Sequence, residues 1–261
     1  MAPSAFLERL FGFAGRTAVV VGGTGVLGGA LAEGLAAAGA FTIVAGRGAD
    51  RGEARVAAIR AAGGDGAFVP VEATDRASVA ALLEEARRRR GRIDALVNCA
   101  GVNSSVPYFE IPDDDWDRVL DTNLKSTHLA CQIFGRAMAD AGGGAILNIG
   151  SVSADKPLSK VFAYSASKAA VVNYTRNVAR EFAALKVRVN VLCPGFFPAE
   201  QNRKILSPER TAAIMSQTPM ARFGEPHELV GAALLLLAPA AGSFITGTDV
   251  YVDGGFTGMR I

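Results

Sequence analysis

Short runs of β-branched residues alternate with longer alanine-rich stretches from Thr17 to Val252, and few folds accept that rhythm. A run such as Thr17–Val21 (TAVVV) is apolar without alternation, so both of its faces must be covered. That is the condition of a parallel sheet flanked by helices. The pattern predicts strands over 17–21, 41–45, 67–71, 93–98, 145–149, 187–192 and 249–252. Between them it predicts helices over 26–38, 51–62, 75–90, 113–141, 163–185 and 228–238, with Gly39 and Gly63-Gly64 as stops and Asp75 as an N-cap. No shift in composition marks a linker. The chain therefore reads as one doubly wound α/β domain over 1–261, with 194–226 as a loop and 196–226 as its substrate-loop region.

Charge and rare residues remove several classes of partner. Lys and Arg number 27 against 25 Asp and Glu, a net +2, so no global field draws the chain to nucleic acid or to a membrane surface. The dense basic run Arg87–Arg90 falls where a helix should end and where cations complement the carbonyl dipole. Three cysteines in an odd, scattered set and two distant histidines predict neither a disulfide framework nor a metal site. No apolar stretch reaches the length of a membrane span, and Met1–Gly15 lacks the apolar core of a signal peptide. A cytoplasmic protein with a small-molecule substrate is the expectation.

The first strand runs into Gly22-Gly23-Thr24-Gly25-Val26-Leu27-Gly28 and then a helix. Gly23, Gly25 and Gly28 match G-x-G-x-x-G in the strand-to-helix setting that gives the motif its meaning. Such a turn brings backbone close to a pyrophosphate at the positive end of the helix. About 20 residues on, where an acidic side chain would bind the ribose 2′-OH of NAD, stands Arg47, suited to a 2′-phosphate. NADP(H) is therefore expected ahead of NAD(H).

Tyr164 and Lys168 are spaced i, i+4 and share a helical face. A nearby ammonium lowers a phenol's pKa, which suits proton exchange with an alkoxide formed as hydride arrives at a ketone. Ser151 lies just past a strand end, where its hydroxyl can hold a substrate oxygen. Asn123 is a poor residue inside the 113–141 helix; it is expected to break the helix locally and order a water.

With the turn Asn98-Cys99-Ala100-Gly101, Pro194-Gly195 and the closing Val252-Asp253-Gly254-Gly255, these motifs resemble the short-chain dehydrogenase/reductase family over roughly Gly15 to Phe256. The resemblance implies a Rossmann fold with a seven-stranded parallel sheet in order 3-2-1-4-5-6-7, and a homotetramer or homodimer. It implies a catalytic set of Asn123, Ser151, Tyr164 and Lys168. The implied cofactor surface comprises Gly22, Thr24, Gly25, Val26, Leu27, Arg47, Glu72, Ala73, Asn98, Ala100, Gly101, Tyr164, Lys168, Pro194, Gly195 and Phe197. This chain departs from the family pattern at Val21, Val26, Glu72, Cys99 and Ala199, none of them a catalytic position.

The segments around Gly25–Gly28, Phe196–Arg203 and Thr218–Pro226 resemble a D-mannonate oxidoreductase or fructuronate reductase subgroup, which implies oxidation of a secondary alcohol on a sugar acid. Ser151, Asn103, Gln201 and Arg203 are the expected substrate contacts, with Arg203 or Lys160 facing a carboxylate. A 3-oxoacyl thioester is the alternative substrate, and a non-catalytic dinucleotide-binding regulator the alternative function.

Overall fold

The computed structural model describes residues 3–197 and 207–258. Within them the strands are β1 (Thr17–Val21), β2 (Phe41–Gly46), β3 (Asp65–Pro70), β4 (Ala95–Asn98), β5 (Gly144–Ile149), β6 (Val187–Pro194) and β7 (Asp249–Val252). They form a seven-stranded parallel sheet in order β3-β2-β1-β4-β5-β6-β7. The order reverses between β1 and β4, and the crevice at the carboxyl ends there is where open α/β sheets take ligands.

The helices are α1 (Pro3–Phe11), α2 (Val26–Ala37), α3 (Ala49–Ala61), α4 (Arg76–Arg90), α5 (Asp113–Leu120), α6 (Ser126–Asp140), α7 (Phe162–Ala183), α8 (Pro208–Gln217) and α9 (Val230–Leu237). Strand period decides which layer each residue joins. Val20, Val44, Val97 and Leu147 pack with Leu31 and Leu35 of α2 and Leu236 of α9. Their neighbours Val19, Val21, Ile43 and Ile146 face the other way, onto Leu82 of α4 and Phe134 and Met138 of α6. Every residue of β1 is buried, which is why its sequence does not alternate.

Asp75 caps α4 by accepting the Ser78 N–H at 2.8 Å, and the arginines of its last turn pair with Glu84, Glu85 and Asp65. Besides small shifts of element ends, several features depart from the sequence expectations, among them α1, which no expected helix covers. The third strand starts two residues before and ends one residue before the expected 67–71, because pairing with β2 sets Phe41 opposite Asp65 and Gly46 opposite Pro70. The expected loop 194–226 contains α8. The predicted helix over 113–141 is interrupted by a π-helical turn, Asp121–Lys125, between α5 and α6.

Candidate active site

Two adjoining cavities open at the reversal point, and both are lined by Gly22, Gly25, Cys99, Gly101 and Val102. The first, of about 570 Å³, runs from the α2 N-terminus past Ser151, Tyr164 and Lys168 to Pro194, Gly195 and Phe197. The second, of about 490 Å³, is bordered by Thr24, Arg47, Glu72, Ala73 and Ala100. Each is within the size range of small-molecule sites.

The glycine turn is built by close approach. Gly22 has φ +86, and a β-carbon there would lie 2.5 Å from the Ala100 nitrogen. At Gly28 it would lie 2.3 Å from the Gly22 carbonyl oxygen. The α2 N-cap, Gly25, offers no side-chain hydrogen bond to the first turn. Those amides are thus unclaimed by capping side chains at the wall of the cavity, which fits a phosphate-bearing cofactor.

Tyr164 and Lys168 come from the first two turns of α7, with the Lys168 Nζ 5.7 Å from the Tyr164 ring centre. Nζ donates to the Ile149 carbonyl at 2.7 Å, tying α7 to the end of β5. Burial pushes the ammonium down to about 8. Burial also raises the Tyr164 phenol, and a hydrogen bond with Ser151 works the other way. The neighbouring Cys99 and Cys193 act in the same direction as burial and raise the phenol further. Ser151 is itself held, because both the Ser153 N–H and the Ser153 hydroxyl donate to its Oγ at 3.1 Å.

Asn123 is fully buried in the π-helical turn and borders neither cavity. Its Oδ1 accepts the Val102 N–H at 2.8 Å, and its Nδ2 donates to the Val102 carbonyl and the Ser167 hydroxyl. Both amide protons are therefore committed to the protein, and the side chain acts as a clamp on the cavity wall. A water-ordering amide was the expectation; only acceptor positions are left for that purpose. Asn98 is also turned away from both cavities: its Nδ2 donates to Asn148 at 2.9 Å, and its Oδ1 is buried without a partner.

Asn103 borders the first cavity, while Lys160 does not. Gln201 and Arg203 lie outside the described residues. Arg51 joins Arg47 at the second cavity, and Arg210 and Ile214 of α8 join the first. None of the three was anticipated, although Arg51 stands four positions after Arg47 and would follow it by one helical turn. Glu72 comes within 3.9 Å of Arg47 and accepts from Thr74 at 2.8 Å. Among the described residues no group of three or more His, Cys, Asp or Glu is placed to hold a metal ion, and no helix is long and apolar enough to cross a membrane.

A family model described as enoyl-(acyl carrier protein) reductase matches residues 24–257. The chain is 37% identical to a D-threitol dehydrogenase of Mycolicibacterium smegmatis, covering 93% of each protein. It is 33% identical to a 5-keto-D-gluconate 5-reductase of Escherichia coli, covering 95% of this chain and 98% of that one. A gluconate 5-dehydrogenase from Burkholderia cenocepacia, solved in complex with NADP and tartrate, superposes with a TM-score of 0.92 at 31% identity, over 97% of this chain and 99% of that one.

Proposed function

Because the chain belongs to the short-chain dehydrogenase/reductase family and is an oxidoreductase of that kind, we propose that it interconverts a secondary alcohol and a ketone on a sugar acid or related polyol, taking NADP(H) ahead of NAD(H). The observation that carries the reading is that the cavity lined by Ser151, Tyr164 and Lys168 adjoins a second cavity across the glycine turn. In this reading the glycine turn and the α2 amides hold the pyrophosphate. Thr24, Glu72, Ala73, Ala100 and Gly101 border the adenosine half, and Pro194, Gly195 and Phe197 the nicotinamide half. Arg47 takes the 2′-phosphate, with Arg51 beside it. When bound, a nicotinamide supplies or accepts a hydride at the substrate carbon.

Tyr164 passes a proton to the oxygen of that carbon during reduction and removes it during oxidation. Ser151 donates a hydrogen bond to the same oxygen and is oriented for it by Ser153. Lys168 supplies a buried positive charge beside the phenol. Asn123 keeps Val102, and so the cavity wall, in register with α7. The names of the relatives support a polyol or aldonic acid substrate; the subgroup resemblance adds D-mannonate and D-fructuronate to that class. The family resemblance also supports a cytoplasmic homotetramer, with a homodimer as the alternative.

A 3-oxoacyl thioester is the second reading. It is favoured by the apolar lining of the first cavity, where Val102, Val152, Leu158, Val161, Phe196 and Phe223 lie. Oxidation of NADPH and NADH against keto-sugar acids, a keto-tetrose, 3-oxoacyl thioesters and simple ketones separates the two. Fastest turnover with a keto-sugar acid or keto-tetrose and NADPH is expected; a higher kcat/KM on thioesters would replace the first reading with the second. Arg47→Asp is expected to move the cofactor preference toward NADH, and an unchanged ratio would remove Arg47 from the cofactor site.

A further inference from the structure

We propose that Arg210 is the residue that binds the carboxylate of the substrate, which makes it a specificity determinant in a helix that the sequence pattern presents as loop. The proposal rests on the sugar-acid reading and names the group that would recognise the acid.

Ser207-Pro208-Glu209 starts α8: the Ser207 Oγ accepts the Arg210 N–H at 3.2 Å, and Pro208 occupies the first turn. Once that helix forms, Arg210 and Ile214 are one turn apart on a shared face, and both border the cavity that holds Ser151 and Tyr164. Phe223, reached after the chain leaves α8, borders it as well.

The charge inventory of this cavity is one-sided. Its described lining contains two cations, Lys168 and Arg210, and no Asp or Glu. Lys168 is buried and committed to Ile149 beside the phenol. The Arg210 guanidinium has no ion pair or hydrogen bond with a described residue. Glu209, next to it in the chain, is engaged by Ser207. Arg222, the next arginine along the chain, is already held in a two-bond pair with Glu228 at 2.6 and 2.8 Å. Arg210 is thus the cation on the substrate side of the cavity with no described protein anion to neutralise it.

Val152, Leu158, Val161 and Ile214 line the same cavity with apolar surface, whereas Arg210 is itself exposed, so a carboxylate can reach its guanidinium from solvent. A guanidinium binds a carboxylate through two parallel hydrogen bonds, so it would orient the substrate as well as attract it. The ligand class that follows is a keto acid or hydroxy acid whose carboxylate lies away from the reacting carbon. Arg203, the sequence expectation for this role, lies outside the described residues.

The test compares 5-keto-gluconate with L-sorbose, the neutral ketose that carries a hydroxymethyl group where the keto acid carries its carboxylate. Both are used with wild-type enzyme, Arg210→Gln and Arg210→Lys, with NADPH. In Arg210→Gln the KM for the keto acid should rise about 10- to 100-fold, the range of a charge-assisted hydrogen bond, with a smaller change in kcat. The KM for L-sorbose should not move, and Arg210→Lys should recover part of the loss. The dissociation constant for NADPH, read by fluorescence titration, should be unchanged in both variants.

A keto-acid preference that survives in Arg210→Gln would overturn the assignment while leaving the sugar-acid reading intact. So would an equal KM rise for both substrates, or NADPH binding weakened in the same proportion. A wild-type enzyme that discriminates the acid from the ketose neither by rate nor by calorimetric binding would overturn the sugar-acid reading, and Arg210 with it.

Discussion

At the scale of single residues, the site works against the solvation preferences of its own side chains. Lys168 is 5% exposed, and burial holds its ammonium at about 8. From a usual value of 10.5, that shift means the folded protein carries the charged form at neutral pH at a cost of about 3 kcal/mol. Between these two values the unfolded chain binds a proton that the folded chain has released, so this residue adds stability as pH rises through the window and lowers it below about 8. Lys168→Met should abolish turnover. Allowing about 1 kcal/mol for the lost bond to Ile149, it should melt several degrees above the wild type at pH 7. Calorimetric scans at pH 7 and pH 10 should show that advantage shrinking; a Tm lowered at both would mean that Lys168 is a net structural support. Tyr164→Phe removes one oxygen and little volume. It should reduce kcat by at least about 100-fold, as loss of a general acid does, while NADPH titration stays near wild type. Retained turnover would take Tyr164 out of the chemistry.

At the scale of elements, the π-helical turn is the part of the fold most directly coupled to the site. One wide turn in the helix carries Asn123 to a position where its amide bonds both the N–H and the carbonyl of Val102, 21 residues earlier, and the Ser167 hydroxyl, 44 residues later. Asn123→Ala leaves three buried or half-buried polar groups without that partner and should cost about 3 kcal/mol in urea denaturation, with kcat falling at least tenfold as the Val102 wall loosens. Asn123→Asp keeps the bond to the Val102 N–H but loses both donations, so its stability should fall between the two. A stable, fully active Asn123→Ala would show that the turn is held by α5 and α6 alone. The helix α8 is the second such element. Its N-cap serine, first-turn proline and acidic residue are a legible helix start, yet the proline- and glycine-rich stretch around them reads as loop.

At the scale of the whole molecule, we propose that the chain 1–261 is one domain, with 196–226 as the substrate-loop region within it. The sheet is continuous from β3 to β7, and the apolar clusters on its two faces both draw on central strands. Unfolding followed by the fluorescence of the single tryptophan, Trp116, and by far-ultraviolet circular dichroism should give coincident transitions. Two separated transitions would mark a second folding unit. The small net charge of +2 fits a site whose cations are local, with Arg47 and Arg51 lining one cavity and Arg210 the other.

The sequence by itself determined the parallel sheet, the glycine turn and the Tyr164–Lys168 pairing, because each follows from periodicity or from spacing within one element. It also marked Asn123 as a break, since asparagine is disfavoured inside a helix. Only the tertiary structure decided what the break does, because Val102 and Ser167 reach Asn123 through packing between elements distant in the chain. The same holds for the electrostatics. Spacing puts an ammonium near a phenol, but the direction of both pKa shifts is set by the walls that exclude water from them. It holds again for Arg210: a guanidinium next to Glu209 in the sequence is unremarkable, and it becomes a candidate ligand for an anion only where folding has set it on the cavity that holds Ser151 and Tyr164 and left it no carboxylate partner among the described residues.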